Sequence, residues 1–165
     1  MSDIYILCVD DEPSILEAVV RDIAELEDNF PIETAECAEQ ARKVIQQIYK
    51  SGNTLGLIIC DHIMPGDTGV QLLVEMLNDE RTHSTRRILL TGQAGLEATI
   101  QAVNSGNLNH YIAKPWKPKN LLQVARDELT EYILLNEINP LPFAAQLNAQ
   151  KLSKAIHKKG LISDQ

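Results

Sequence analysis

Six residues of this 165-residue chain stand out by their type and by what precedes them. "IYILCV" (Ile4–Val9) runs straight into Asp10, Asp11 and Glu12, and "LIIC" (residues 57–60) into Asp61. "RILL" (residues 87–90) ends on Thr91, and "HYIA" (His110–Ala113) on Lys114. A carboxylate at the end of a buried strand borders a low-dielectric core, where an unpaired charge is costly. If these runs are neighbouring strands, carboxylates, a hydroxyl and an ammonium converge on one rim. Acidic groups that close repel one another, and a hard divalent cation with oxygen ligands relieves the repulsion. Mg²⁺ is the natural candidate, because it binds through one or two carboxylates and keeps places for phosphate oxygens. Lys114 adds a mobile positive charge and Thr91 a donor, enough to neutralise a phosphoryl group on an Asp61 oxygen. Asp61 then reads as a nucleophile whose charge the metal makes tolerable. Each residue alone has a plainer use: Glu12 as a solvated cap, Thr91 as a strand-end cap, Lys-Pro as loop punctuation. Four strand ends in one consistent frame are hard to assign to accident.

The elements that must position these residues alternate. Residues 13–26 carry Ile15, Val19, Ile23 and Leu26 at helical spacing, with Pro13 suited to the first turn. "PIETA" (residues 31–35) precedes a helical segment over residues 38–49, with Ala41, Val44, Ile45 and Ile48 on one face. The run ending at Cys60 leads through a loop marked by Pro65, Gly66 and Gly69 to a helix over residues 70–77. Residues 87–91 lead to Leu96–Asn104, and His110–Ala113 leads through "KPWKP" to residues 120–135. Five strand–helix units of this size predict an α/β domain on a parallel sheet. Runs as apolar as "LIIC" predict a sheet covered on both faces. In such a sheet, ligands bind outside the carboxyl ends of the strands, where the six residues fall.

Composition narrows the classes. No apolar run approaches the ~20 residues that span a bilayer. The start "MSDIYILCVDDEP" lacks the basic opening of a signal peptide, which predicts a cytoplasmic protein without a membrane anchor. Cys8, Cys37 and Cys60 show neither CxxC nor zinc spacing, and Cys8 and Cys60 read as small buried hydrophobes. A net charge of −8 argues against direct nucleic-acid binding. Residues 137–165 hold four lysines against Glu137 and Asp164, a net of +2, so the first 136 residues carry −10.

Together "VDDEP", "DHIMPGDTG", "LLTG" and "AKPW" resemble the receiver domain of bacterial two-component response regulators, over about residues 3–135. That family shows an acidic pair after the first strand, D-x-x-M-P-x-x-x-G after the third, Thr or Ser ending the fourth and Lys-Pro ending the fifth. The resemblance implies a doubly wound, flavodoxin-like sheet of order 2-1-3-4-5 flanked by five helices. It implies Asp61 as phosphoacceptor, Asp11 as a direct Mg²⁺ ligand, Asp10 as a ligand through water, and the backbone carbonyl of Ile63 as a further ligand. Lys114 would pair with the phosphoryl group, and Thr91 would move to bond it. Backbone N–H groups of Ile63 and Gly92 would hold phosphoryl oxygens, and Tyr111 matches the family's switch aromatic. Ile63 and Gln93 fall at positions that in that family influence how long the phosphoryl group survives. The Lys114–Pro115 bond is expected to be cis.

The implied partners are a sensor histidine kinase or phosphotransfer protein, and downstream either a separate protein or a fused output domain. The fourth helix, fifth strand and fifth helix form the expected docking face, including for a second copy. A rival reading is a haloacid-dehalogenase-type phosphatase, which also joins Asp, Thr or Ser, Lys and Mg²⁺. Those enzymes resemble D-x-D-x-T at the nucleophile, whereas this chain has Asp61-His62-Ile63. Another rival is a receiver acting as a phosphorylation-independent scaffold, against which stands the presence of all four chemical positions. His62 reads as a surface residue, and Trp116 as packing or a contact surface. The receiver is expected over residues 1–136. Residues 137–165 read as a tail or linker, with Phe143, Leu147, Gln150, Lys154 and His157 available to a short extra helix to which Leu152 and Ile156 give an apolar side.

Overall fold

The computed structural model describes residues 2–92, 96–105 and 108–163. Five strands, β1 (Ile4–Val9), β2 (Ile32–Ala35), β3 (Thr54–Asp61), β4 (Arg86–Thr91) and β5 (His110–Ala113), form one sheet of order β2-β1-β3-β4-β5. Every neighbouring pair is parallel. The helices are α1 (Pro13–Asp22), α2 (Ala38–Lys50), α3 (Gly69–Leu77), α4 (Leu96–Asn104), α5 (Pro118–Leu135) and α6 (Ala149–Ser163). Successive side chains of a strand point to opposite faces, and here both faces are apolar. Ile6, Cys8, Leu57, Ile59, Ile88 and Leu90 pack with α1 and α5. Leu7, Val9, Ile58, Cys60 and Leu89 pack with α2 and α3. Both faces of the central strands are therefore covered, as their unbroken apolar runs predict.

Three boundaries depart from the sequence pattern by two residues or more, each for a physical reason. β3 begins at Thr54, ahead of the expected residue 57, because Gly56 is tolerated as an extra residue where the register with β1 shifts between Tyr5 and Ile6. A Cβ at Gly56 would lie 2.5 Å from Ile4 Cγ2. α1 ends at Asp22, and a 3-10 turn, Ala24–Asp28, continues the apolar series so that Ile23 and Leu26 stay fully buried. α5 begins at Pro118, whose ring suits the first helical turn.

The chain after α5 does not leave the domain at once. It turns back through a 3-10 segment, Leu141–Gln146, which lays Phe143 on Phe30 with ring centroids 5.1 Å apart. Leu147 is buried in the α1–α5 core. The Asn148 backbone N–H donates to Thr130 Oγ1 at 2.9 Å, its side chain donates to Asp127 at 2.7 Å, and Arg126 Nε donates to the Gln146 carbonyl at 3.0 Å. The expected short helix is α6, which starts after Phe143 and Leu147 rather than including them; its residues 156–159 are exposed.

Candidate functional site

Register places the chemistry. Val9 pairs with Cys60, Asp61 with Leu90, and Thr91 with Ala113, so Asp10, Asp61, Thr91 and Lys114 emerge at one carboxyl edge. Asp10 is 2% exposed and held in place: its N–H donates to the Ala35 carbonyl at 3.1 Å, and its Oδ1 accepts the Glu12 N–H at 2.9 Å. Asp61 is 6% exposed. Lys114 Nζ lies 3.0 Å from Asp10 Oδ2 and 3.3 Å from Asp61 Oδ1, so one ammonium serves two buried carboxylates. The Lys114 N–H donates to the Thr91 carbonyl at 2.9 Å, and the Lys114–Pro115 bond is cis. Thr91 is buried, and its hydroxyl donates to the Gly92 carbonyl at 3.2 Å.

The electrostatics follow from burial. Burial pushes the Asp61 carboxyl above its usual range; Lys114 draws it partly back, and Asp10 pushes it up again. Burial alone would lower Lys114, but its bond to Asp10 and the nearby Asp61 charge outweigh that and hold the ammonium above its ordinary value. One carboxylate oxygen each of Asp10, Asp11 and Asp61 lie within 4.8 Å of one another. An all-oxygen, carboxylate-rich set of that spacing fits a hard divalent cation. Cys8 and Cys60 lie buried in the strands beneath it, and burial raises the Cys8 thiol to about 12, as inert packing groups require.

The loop after Asp61 is tied at its neck. The Gly69 N–H donates to the His62 carbonyl at 2.9 Å, and a Cβ at Gly69 would lie 2.1 Å from the Asp61 carbonyl oxygen. Thr68 and Gln71 form a capping box that starts α3. His62 is not a surface residue: it is 8% exposed, its Nδ1 accepts the Val70 N–H at 3.3 Å, and burial lowers its basicity. Ile63, the next residue, is exposed. Trp116 packs against the α1–α5 core and donates its indole N–H to Asp22 at 2.8 Å, joining the β5–α5 loop to α1. Arg42 of α2 pairs with Asp67 in the loop after Asp61 and with Glu75 on α3. Neither the Arg42 nor the Trp116 link has a signal in the linear sequence, since each joins residues that only the fold brings together. Tyr111 is 46% exposed on β5, next to Leu89 of β4. Gln93 lies outside the described residues.

Comparison with known proteins agrees with this geometry. The family model of the response regulator receiver domain matches residues 6–126. The chain is 31% identical over 158 residues to the hydrogenase transcriptional regulatory protein HoxA of Cupriavidus necator, covering 91% of this chain and 31% of that protein. It is 33% identical over 119 residues to the phosphate regulon transcriptional regulatory protein PhoB of Pseudomonas aeruginosa, covering 71% of this chain and 48% of the relative. The chain thus spans between about a third and a half of these curated relatives. Among solved structures, the signal receiver domain of an HD domain-containing protein from Pseudomonas fluorescens superposes with a TM-score of 0.70 at 28% identity, covering 83% of this chain and 94% of that one. A CheY-like receiver domain protein from Methanospirillum hungatei gives 0.66 at 27% identity, covering 79% and 97%. The acidic rim, the sheet order and these matches agree: the chain belongs to the response regulator receiver domain family, whose members are signalling switches rather than turnover enzymes.

Proposed function

We propose that Asp61 accepts a phosphoryl group from a histidine kinase or a phosphotransfer protein. The observation that supports this most is Lys114, held between Asp10 and Asp61 on a rim that also carries Asp11 and Thr91. An Asp61 oxygen attacks phosphorus in line, the new O–P bond forms as the P–N bond of a phosphohistidine breaks, and the electron pair stays on the departing imidazole. Such a transfer needs little beyond placement and charge neutralisation. Asp10, Asp11, Asp61 and the Ile63 carbonyl would hold Mg²⁺, which when bound supplies positive charge to the phosphoryl oxygens. Lys114 exchanges a carboxylate partner for a phosphoryl oxygen, and the Ile63 and Gly92 N–H groups donate to others. Thr91 turns its hydroxyl from the Gly92 carbonyl to the new acceptor, and Tyr111 moves inward beside β4. The surface of α4, β5 and α5, where Ile100 and Tyr111 are exposed, then presents a changed face to a downstream protein, a fused output domain or a second copy.

The receiver would comprise residues 1–136, with residues 137–165 an appended strap and helix. Among the described residues no helix is long and apolar enough to cross a membrane, and we assign the chain to the cytoplasm. The test is incubation with Mg²⁺ and acetyl phosphate, read by intact mass. One phosphoryl group should be gained, stable to acid and labile to base, and lost in both Asp61→Asn and Asp11→Ala. Undiminished labelling of Asp61→Asn would refute the assignment.

A further inference from the structure

The two peptide units that flank Ile63 have different tasks in the proposed reaction, since the Ile63 N–H would meet the phosphoryl group and the Ile63 carbonyl the metal. Something must hold that segment still, and Ile63 itself does not, because the residue is 53% exposed. The preceding residue is better placed. The His62 ring is buried, its carbonyl accepts the Gly69 N–H, and its Nδ1 accepts the Val70 N–H. Backbone and side chain of one residue therefore fasten the acceptor loop to the first turn of α3. The Val70 N–H is one of the donors that a helix start leaves without an intrahelical partner. With Nδ1 accepting, the ring proton sits on Nε2. Gly69 makes this closeness possible, because any Cβ there would collide with the Asp61 carbonyl.

We infer that His62 is a positioning residue of the acceptor loop: through the Nδ1 bond to the Val70 N–H, its imidazole fixes the two peptide units flanking Ile63 where the metal and the phosphoryl group would meet them. This rests on the phosphoacceptor reading above. Groups that orient a metal's ligands commonly change affinity or activity by about 10–100-fold when lost. Arg42 fastens the same loop from outside, through Asp67, but that pair is exposed and such pairs contribute little.

Two substitutions separate the acceptor atom from the bulk of the ring. His62→Asn keeps an acceptor at the δ position in a smaller side chain, whereas His62→Leu keeps bulk and removes the acceptor. Mg²⁺ affinity is read by calorimetric titration, Val70 N–H protection by amide exchange, and labelling by acetyl phosphate. His62→Leu should weaken Mg²⁺ binding about 10-fold, expose the Val70 amide to exchange and slow labelling, while His62→Asn stays near the parent in all three. If His62→Leu does not fold, His62→Asn decides: parent-like Mg²⁺ binding supports the inference, and a 10-fold loss overturns it. Parent-like Mg²⁺ affinity in a folded His62→Leu overturns it too, and leaves the phosphoacceptor reading standing provided Asp61 is labelled. A parent chain that takes no label overturns both.

Discussion

An ionised Asp61 has Asp10 and Asp11 oxygens within 4.8 Å and Lys114 at 3.3 Å, so its charge is costly to hold and useful to cancel. Its carboxyl sits above the usual range in the fold because burial disfavours the anion. A group raised in this way supports the fold fully below its unfolded value, and that support is lost as pH rises through the folded value. Asp61→Asn keeps a neutral group there at every pH. In the absence of Mg²⁺ at pH 7 the variant should therefore be more stable than the parent, by about 1 kcal/mol or a few degrees in Tm. The gain should fade below about pH 4, where the parent is protonated as well. Thermal melts across pH check this, and a variant less stable than the parent at pH 7 contradicts it. Asp10, Asp61, Thr91 and Lys114 were legible in sequence because each follows directly on an apolar run, and parallel register carries them to one edge. His62 was not: its burial depends on the loop folding back to Gly69, and a lone imidazole beside an acid carries no such mark.

At the scale of elements, two pieces of the chain have separable roles. β5 is an edge strand with Ile112 buried and Tyr111 exposed, beside β4 and the buried Thr91. In the proposed switch Thr91→Ala still takes a phosphoryl group on Asp61 but cannot pass it on to Tyr111. Beryllofluoride should then alter amide exchange around residues 108–113 in the parent and leave it nearly unchanged in Thr91→Ala. Changes confined to residues after Asn136 would place the response elsewhere. The strap after α5 is tied down by the Phe143–Phe30 stack and by buried Leu147. Phe143→Ala should cost about 2 kcal/mol, a partly exposed ring losing less than a fully buried one. Urea unfolding measures this, and an unchanged midpoint would mean the strap adds nothing to the receiver. The five alternating units were legible from periodicity. The strap was not: Phe143 and Leu147 read as members of a short helix, and nothing in the linear sequence marks the distant Phe30 as the ring that Phe143 stacks on. The start of β3 was hidden by Gly56, which reads as punctuation until Ile4 is seen against it.

The whole molecule gathers Asp10, Asp61, Thr91 and Lys114 at the carboxyl edge of a sheet whose central strands are covered on both faces. Asp10, Asp61 and Thr91 are buried there at the ends of strands whose central residues are apolar, so the rim owes its position to the cores beneath it. The central claim is that the phosphoryl group resides on Asp61 and not on its neighbours. Borohydride reduces an aspartyl phosphate to homoserine, so treating the Mg²⁺- and acetyl phosphate-labelled chain and sequencing its peptides by mass spectrometry locates the acceptor. The account predicts homoserine at position 61 alone. Homoserine at position 10 or 11, or a phosphoryl group found on His62 with Asp61 unmodified, would contradict it.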